Sequence, residues 1–201
     1  MTTHSPKESE IEHFNALAAG WNNSEESVAL AQKVVQALGI KAGQSLLDVA
    51  SGTGVIPAAL HKLSIRPGRY LALDISGAML EALREGYPEA ETQCVDFENP
   101  FICESGFDYV LIYNSIPHFV NLEMLFVNAE RSLNPGGTFM IAHSRTRQGL
   151  KEHHARIGYS STREPIPPDQ ALIELAVQHG FDRITIEDEE LYCFSCTRVS
   201  L

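Results

Sequence analysis

Leu46-Leu47-Asp48-Val49-Ala50-Ser51-Gly52-Thr53-Gly54 runs from an aliphatic stretch into a carboxylate and then through two glycines. A helical pattern follows at once, with Val55, Ala58, Ala59 and Leu63 apolar. That order is a buried strand, a tight turn and a helix N-terminus, the opening of a βαβ unit. Glycine in such a turn permits positive φ and lets a ligand approach bare backbone. Pro57 fits the first helical turn, where its missing N–H costs nothing. An ordinary βα turn reads the same way, so the meaning of the glycines depends on the rest of the chain.

Downstream the alternation continues. Tyr70–Asp74 reads as a second strand, Ser76–Arg84 as a helix capped by Ser76, and Thr92–Val95 as a third strand. Phe107–Tyr113 is apolar enough to be a central strand. A helix over Asn121–Leu133 is expected to stop at Asn134-Pro135-Gly136-Gly137, before a fifth strand over Thr138–Ala142. A polar insert precedes a helix over Asp169–Gln178. Arg183–Glu187 and Leu191–Val199 are joined too tightly for a parallel crossover, so they pair antiparallel. Upstream, residues 9–20 form one helical pattern, and Asn23 with Glu26 resembles a capping box for a second that Gly39 closes. The reading is an N-terminal helical cap over residues 1–40. An α/β domain follows over 41–201, a mostly parallel sheet with helices on both faces.

Composition narrows the partners. The 201 residues carry a net charge of −11, spread over both halves, which lacks the basic footprint of a nucleic-acid binder. A small-molecule substrate is favoured. No apolar run approaches the length of about 18 residues needed to span a membrane. The stretch Met1-Thr2-Thr3-His4-Ser5-Pro6-Lys7-Glu8 has no leader-like apolar core, so a cytoplasmic location is expected. Cys193 and Cys196 sit three apart on a strand, facing opposite sides, which argues against a redox or zinc clip.

Ligands of open α/β sheets bind beyond the carboxyl ends of the strands, and Asp48, Asp74 and Asp96 stand at three such ends. Ionised carboxylates accept hydrogen bonds, so they suit ribose hydroxyls, an exocyclic amine or an ammonium group. A nicotinamide-dependent oxidoreductase is the natural rival. Its fingerprint wants a third glycine or alanine where Pro57 stands, and Asp48 would repel a pyrophosphate.

In order and spacing these motifs resemble the class I S-adenosylmethionine-dependent methyltransferases over roughly residues 11–199. The resemblance makes Asp48 to Gly54 motif I, with Ala50 where the family often has glycine. It implies that Asp74, followed by Ile75, binds the ribose hydroxyls and that Asp96-Phe97 contacts the adenine. Backbone N–H groups of Ser51, Gly52, Thr53 and Gly54 would take the cofactor carboxylate, and Asn114–Ser115 would face the methionyl amine. It also implies a Rossmann-like seven-stranded sheet of order 3-2-1-4-5-7-6 with strand seven antiparallel. A non-catalytic protein that binds S-adenosylmethionine remains an alternative.

The segments after strands four and five bear on the acceptor. Asn114-Ser115-Ile116-Pro117 lacks the Asn/Asp-Pro-Pro-aromatic motif of amino-methylating nucleic-acid enzymes. His118 and His143 are the candidate general bases. Arg145, Arg147, Lys151, Arg156 and Arg163 make one basic island in an acidic chain. Arg147 and His154, with the single tryptophan, Trp21, are the expected contacts to a small, anionic substrate. No metal is expected, because His118, His143 and His154 match no zinc spacing.

Overall fold

The computed structural model describes residues 5–21, 23–158 and 163–200. Met1–His4, on which part of the leader reading falls, and four residues of the polar insert lie outside the described residues. The elements are α1 (Pro6–Leu17), α2 (Glu25–Leu38), β1 (Ser45–Val49), α3 (Val55–Lys62), β2 (Arg69–Asp74), α4 (Gly77–Gly86) and β3 (Glu91–Cys94). They continue with β4 (Phe107–Tyr113), α5 (Leu122–Ser132), β5 (Leu133–His143), α6 (Arg147–Arg156), α7 (Asp169–Gln178), β6 (Phe181–Asp188) and β7 (Tyr192–Arg198). The seven strands form one sheet of order β3-β2-β1-β4-β5-β7-β6. Every pairing from β3 to β5 is parallel, and β7 runs antiparallel to both neighbours.

Side-chain alternation explains the layers. In β1, Leu47 and Val49 face one side with Val110 and Ile112 of β4, where Leu125, Phe126 and Ala129 of α5 and Leu172 of α7 cover them. Leu46 and Leu111 face the other side, under Ala31, Val34 and Val35 of α2 and Ile56 and Leu60 of α3. Helix α2 therefore shares the core of the sheet domain, and α1 is the segment that lies outside it. Phe126 packs edge-on against Phe139, Phe181 and Phe194, with ring centroids 5.2 to 6.1 Å apart. Cys193 and Cys196 are buried on opposite faces, and burial pushes the Cys193 thiol up to about 11.

Three local expectations are corrected. The N-cap of α2 is Ser24, whose hydroxyl accepts from Ser27 N, because Asn23 instead donates to Thr53 O. Strand β5 begins at Leu133 rather than Thr138: Leu133 pairs with Phe107, and the register then jumps so that Thr138 pairs with Tyr109. Asn134-Pro135-Gly136-Gly137 is a bulge inside the strand, not a loop before it. Gly136 has φ +80°, and a Cβ on Gly137 would meet Asn134 O at 2.9 Å. Helix α1 also starts earlier than its apolar pattern suggests, at Pro6, because Ser5 and Glu8 form a capping box.

Candidate functional site

The strands β1, β2, β3 and β4 all end on one side of a cavity of about 320 Å³. After β1 the chain turns through Ala50 (φ 57°), Gly52 (φ 54°) and Gly54 (φ 95°). The left-handed backbone at Ala50 costs roughly 1–2 kcal/mol for a residue with a Cβ. Asn114 (φ 58°), at the end of β4, sits in the same region. The two strained residues flank the cavity on the two central strands, and both line it.

The glycine turn is held from beneath. Ser51 N donates to Leu73 O at 3.0 Å, Gly52 N to Asp74 Oδ2 at 2.9 Å, and Gly54 N to Ser51 O at 3.2 Å. Asp74 Oδ1 accepts from Ser76 N at 2.8 Å. Of the four amides expected to take a cofactor carboxylate, those of Ser51, Gly52 and Gly54 are thus engaged within the fold, whereas Thr53 N makes no such bond among the described residues. The Ser51 and Thr53 hydroxyls are left, both buried on the cavity wall with no hydrogen-bond partner among the described residues. A buried unpaired hydroxyl is costly, so a polar group in the cavity would complete them. Asp74, Ile75, Asp96 and Phe97 complete this half of the wall. Burial pushes the Asp74 carboxyl up, against the pull of the backbone bonds it accepts. Asp96 accepts from Glu98 N at 3.0 Å.

Asp48 does not reach the cavity. Residues alternate along β1, so its carboxylate lies on the opposite face from Val49, where it accepts from the Tyr70 hydroxyl at 2.5 Å. Burial, helped by the nearby Asp74 charge, pushes it up to about 7. Its place is under the turn. Gly54 is likewise behind the wall: a Cβ there would meet the Tyr87 ring at 3.0 Å.

The opposite wall comes from the N-terminus. Lys7, Glu10 and Phe14 of α1, then Trp21, Asn23 and Ser27, close over the strand ends. Helix α1 is fastened to three loops. Lys7 Nζ lies 2.6 Å from Glu98 Oε2 and 3.6 Å from Asp96 Oδ1. Asn15 Oδ1 accepts from the Ser76 hydroxyl at 2.7 Å, and Glu10 Oε1 lies 3.0 Å from His118 Nδ1. Trp21 is 47% exposed at the rim.

His118 and Ser115 line the cavity, in the turn after β4, while His143 does not. His143 is buried, and its Nδ1 accepts from Arg145 N at 3.1 Å. Burial, then the charges of Arg145, His154 and His153, lowers it to about 4. A neutral imidazole whose one lone pair is taken by an amide carries its proton on the other nitrogen, so His143 is not a base here. Arg147 is also withdrawn from the substrate role. Its guanidinium donates to Ile166 O at 2.7 Å, to Pro167 O at 2.8 Å and to Asp169, and it stacks 4.9 Å above the Tyr192 ring. Lys151, on the same helix, pairs with Glu164 at 2.5 Å. His154 lies off the wall, close enough for its charge to couple with those of His118 and Arg145.

Two residues carried no site assignment of their own in the sequence, although Arg145 belongs to the basic island. Tyr113 ends β4 as a buried residue of the wall, beside Asn114 and Ser144; burial pushes its hydroxyl up to about 12. Its position inside an apolar strand signals only core. The Arg145 guanidinium, just past β5, has no carboxylate partner among the described residues, and its charge reaches Tyr113, His143 and His154. Among the described residues no group of His, Cys, Asp and Glu could hold a metal ion, and no helix is long and apolar enough to cross a membrane.

This geometry defines the class: a Rossmann-like methyltransferase fold with its crevice over the central strands. Residues 47–141 match the methyltransferase domain family. The biotin biosynthesis bifunctional protein BioHC of Cellvibrio japonicus (strain Ueda107) is 34% identical over 98 residues, covering 48% of this chain and 19% of that protein. The ubiquinone/menaquinone biosynthesis C-methyltransferase UbiE of Klebsiella pneumoniae (strain 342) is 27% identical over 114 residues, covering 51% of this chain and 43% of that enzyme. The chain thus spans less than half the length of either relative. Among solved structures, a Methanococcus maripaludis protein superposes with a TM-score of 0.72 at 18% identity, covering 100% of this chain and 98% of that one. Haemonchus contortus phosphoethanolamine N-methyltransferase 2, solved with phosphomonomethylethanolamine and S-adenosylhomocysteine, superposes at 0.65 with 18% identity, covering 85% of this chain and 52% of that one. The chain is thus similar to methyltransferases over residues 47–141 and shares the fold of these structures.

Proposed function

We propose that this protein transfers a methyl group from S-adenosylmethionine to a small anionic metabolite by in-line displacement. The observation that carries the reading is the cavity at the strand ends, walled by Asp74 and Asp96 and lined by Ser51 and Thr53, whose buried hydroxyls have no hydrogen-bond partner among the described residues. When bound, the cofactor supplies a methyl group activated on a sulfonium, with an adenosyl half rich in donors and a methionyl half that is zwitterionic. Asp74 and Asp96 are acceptors for the ribose hydroxyls and the adenine amine, and Phe97 and Ile75 offer apolar faces beside them. Ser51 and Thr53 are the hydroxyls left for the methionyl end, with Ala50, Asn114 and Ser115 around it.

The chain's own contribution to rate is positioning and water exclusion. Helix α1 and Trp21 shield the crevice, and the acceptor is held beside Tyr113 and His118. His118 is the base for an acceptor that must lose a proton. Arg145, rather than Arg147, is the anchor for a carboxylate or phosphate. The acidic chain disfavours nucleic acid as the acceptor.

Titration calorimetry with S-adenosylhomocysteine tests the cofactor half, with micromolar binding expected. Transfer of labelled methyl from S-adenosylmethionine to a panel of carboxylate- and phosphate-bearing amines and alcohols tests the rest. Binding without turnover on any acceptor would favour a non-catalytic cofactor-binding protein, and stabilisation by NAD alone an oxidoreductase.

A further inference from the structure

The geometry points to Glu10 of α1 as the positioning residue that makes His118 a base, so that the base is assembled only while α1 is seated over the cavity. This rests on the methyl-transfer reading above. Glu10 Oε1 lies 3.0 Å from His118 Nδ1, although the two are 108 residues apart in sequence. Phe14, one helical turn on, packs edge-on against the imidazole with centroids 5.1 Å apart. The ring is therefore held by a hydrogen bond at one edge and an aromatic contact at its side, both from α1, and all three residues line the cavity.

The chemistry follows from the donor inventory. Burial alone would raise the Glu10 carboxyl, but the bond to His118 and the charge of Lys7 outweigh it and hold it below its ordinary value. An ionised carboxylate only accepts, so Nδ1 must carry the proton. In the neutral ring Nε2 then keeps its lone pair, the reverse of the tautomer found in His143. In the reaction the acceptor's lone pair forms the new bond to the methyl carbon as the carbon–sulfur bond breaks. That bond's electron pair goes to sulfur, leaving a neutral thioether, and the acceptor's O–H or N–H proton passes to Nε2 of His118. The resulting imidazolium is stabilised by Glu10.

The location of Glu10 gives the dyad its further meaning. Helix α1 is tied to the loops after β2, β3 and β4 by Asn15, Lys7 and Glu10, and it lies outside the sheet core. When α1 leaves, the crevice opens and the partner of Nδ1 leaves with it. A base that is correctly protonated only behind a closed wall avoids spending the cofactor on water. The charged group against His118 is Glu10 of α1, itself 3.6 Å from Lys7 Nζ, and the charge of His154 from α6 couples with that of His118.

The test is the nitrogen spectrum of the histidine side chains in the S-adenosylhomocysteine complex at alkaline pH, with His118 assigned by the signals lost in His118→Gln. The wild type is expected to show Nδ1–H with a bare Nε2. Glu10→Ala should revert to the Nε2–H form of free imidazole, and Glu10→Gln, which keeps a carbonyl acceptor, should retain Nδ1–H. An Nε2–H ring in the wild type, or an unchanged ring in Glu10→Ala, overturns the proposal. With an acceptor from the panel, Glu10→Ala should lower kcat about 100-fold, the lower end for loss of a general base, with little change in KM for S-adenosylmethionine. Glu10→Gln should recover much of that loss. Failure of S-adenosylhomocysteine to bind would instead defeat the methyl-transfer reading itself.

Discussion

The two halves of the crevice are built on different principles. Over β1, β2 and β3 the wall is built on strand ends and a turn backbone in which the Ser51, Gly52 and Gly54 amides are bound within the fold, and most of its side chains are buried. Beyond β4 it is made of larger side chains from α1, from the segment between Trp21 and Ser27 and from the turn that carries His118 and Phe119. The first half suits a ligand common to a whole superfamily, since backbone geometry changes little with side-chain identity. The second suits a ligand particular to one protein, because loop side chains can be exchanged without disturbing the sheet.

The contrast extends to protons. Asp48, beneath the first half, is raised to about 7, and His143, beneath the second, is lowered to about 4. A raised carboxyl contributes stability that is full below about 4, the ordinary range, and is lost as pH rises towards 7. A depressed histidine contributes stability that is full above about 6.5 and is lost as pH falls towards 4. The two slopes oppose each other across the same window. A pKa displaced by one pH unit is worth about 1.4 kcal/mol, so each group contributes roughly 3–4 kcal/mol. Relative to the wild type, Asp48→Asn should therefore become markedly less stable on acidification from neutral pH to about 4.5, and His143→Gln markedly more stable. Urea melts of both variants across this range would show the divergence, and parallel curves would break the contrast.

The next largest effect belongs to the first half. Asp74→Ala removes the acceptor of Gly52 N and Ser76 N as well as the proposed ribose contact. It should cost about 2 kcal/mol of S-adenosylhomocysteine affinity, roughly thirtyfold by calorimetry. In the second half, Arg147→Ala should lower stability by about 1–3 kcal/mol, because two carbonyls and Asp169 lose their donor. The smallest shift in stability is expected for Arg145→Ala, within about 0.5 kcal/mol in a denaturant melt. The same variant should raise KM for an anionic acceptor about tenfold through loss of a charge-assisted contact. If Arg147→Ala moved KM and Arg145→Ala moved stability, the roles of the two arginines would be exchanged.

The same division explains how much the sequence made legible. The strands themselves, the antiparallel final pair and the crevice over Gly52 follow from hydrophobic runs and turn chemistry, which are local, whereas the strand order is what the resemblance to a known family implied. Asp74, Asp96 and Phe97 stand where a strand end must leave them. Asp48 misled because a carboxylate at a strand end faces the ligand or the opposite layer according to one step of alternation. His143 misled for a different reason: its lone pair is consumed by the amide two residues on, which no spacing rule announces. Arg145 and Arg147 are equally basic in the sequence, and only the positions of Ile166, Pro167 and Asp169 tell them apart. Glu10 could not be paired with His118 at all, since contacts across 108 residues carry no local signal.

Trp21 offers an optical consequence. It is the chain's single indole, and it stands half in solvent at the lip of the crevice. Every photon of intrinsic emission excited at the red edge comes from that one position, so quenching or a blue shift on adding a ligand reports events at the crevice alone. The protein thus carries its own chromophore for following occupancy of the crevice in real time, without a label.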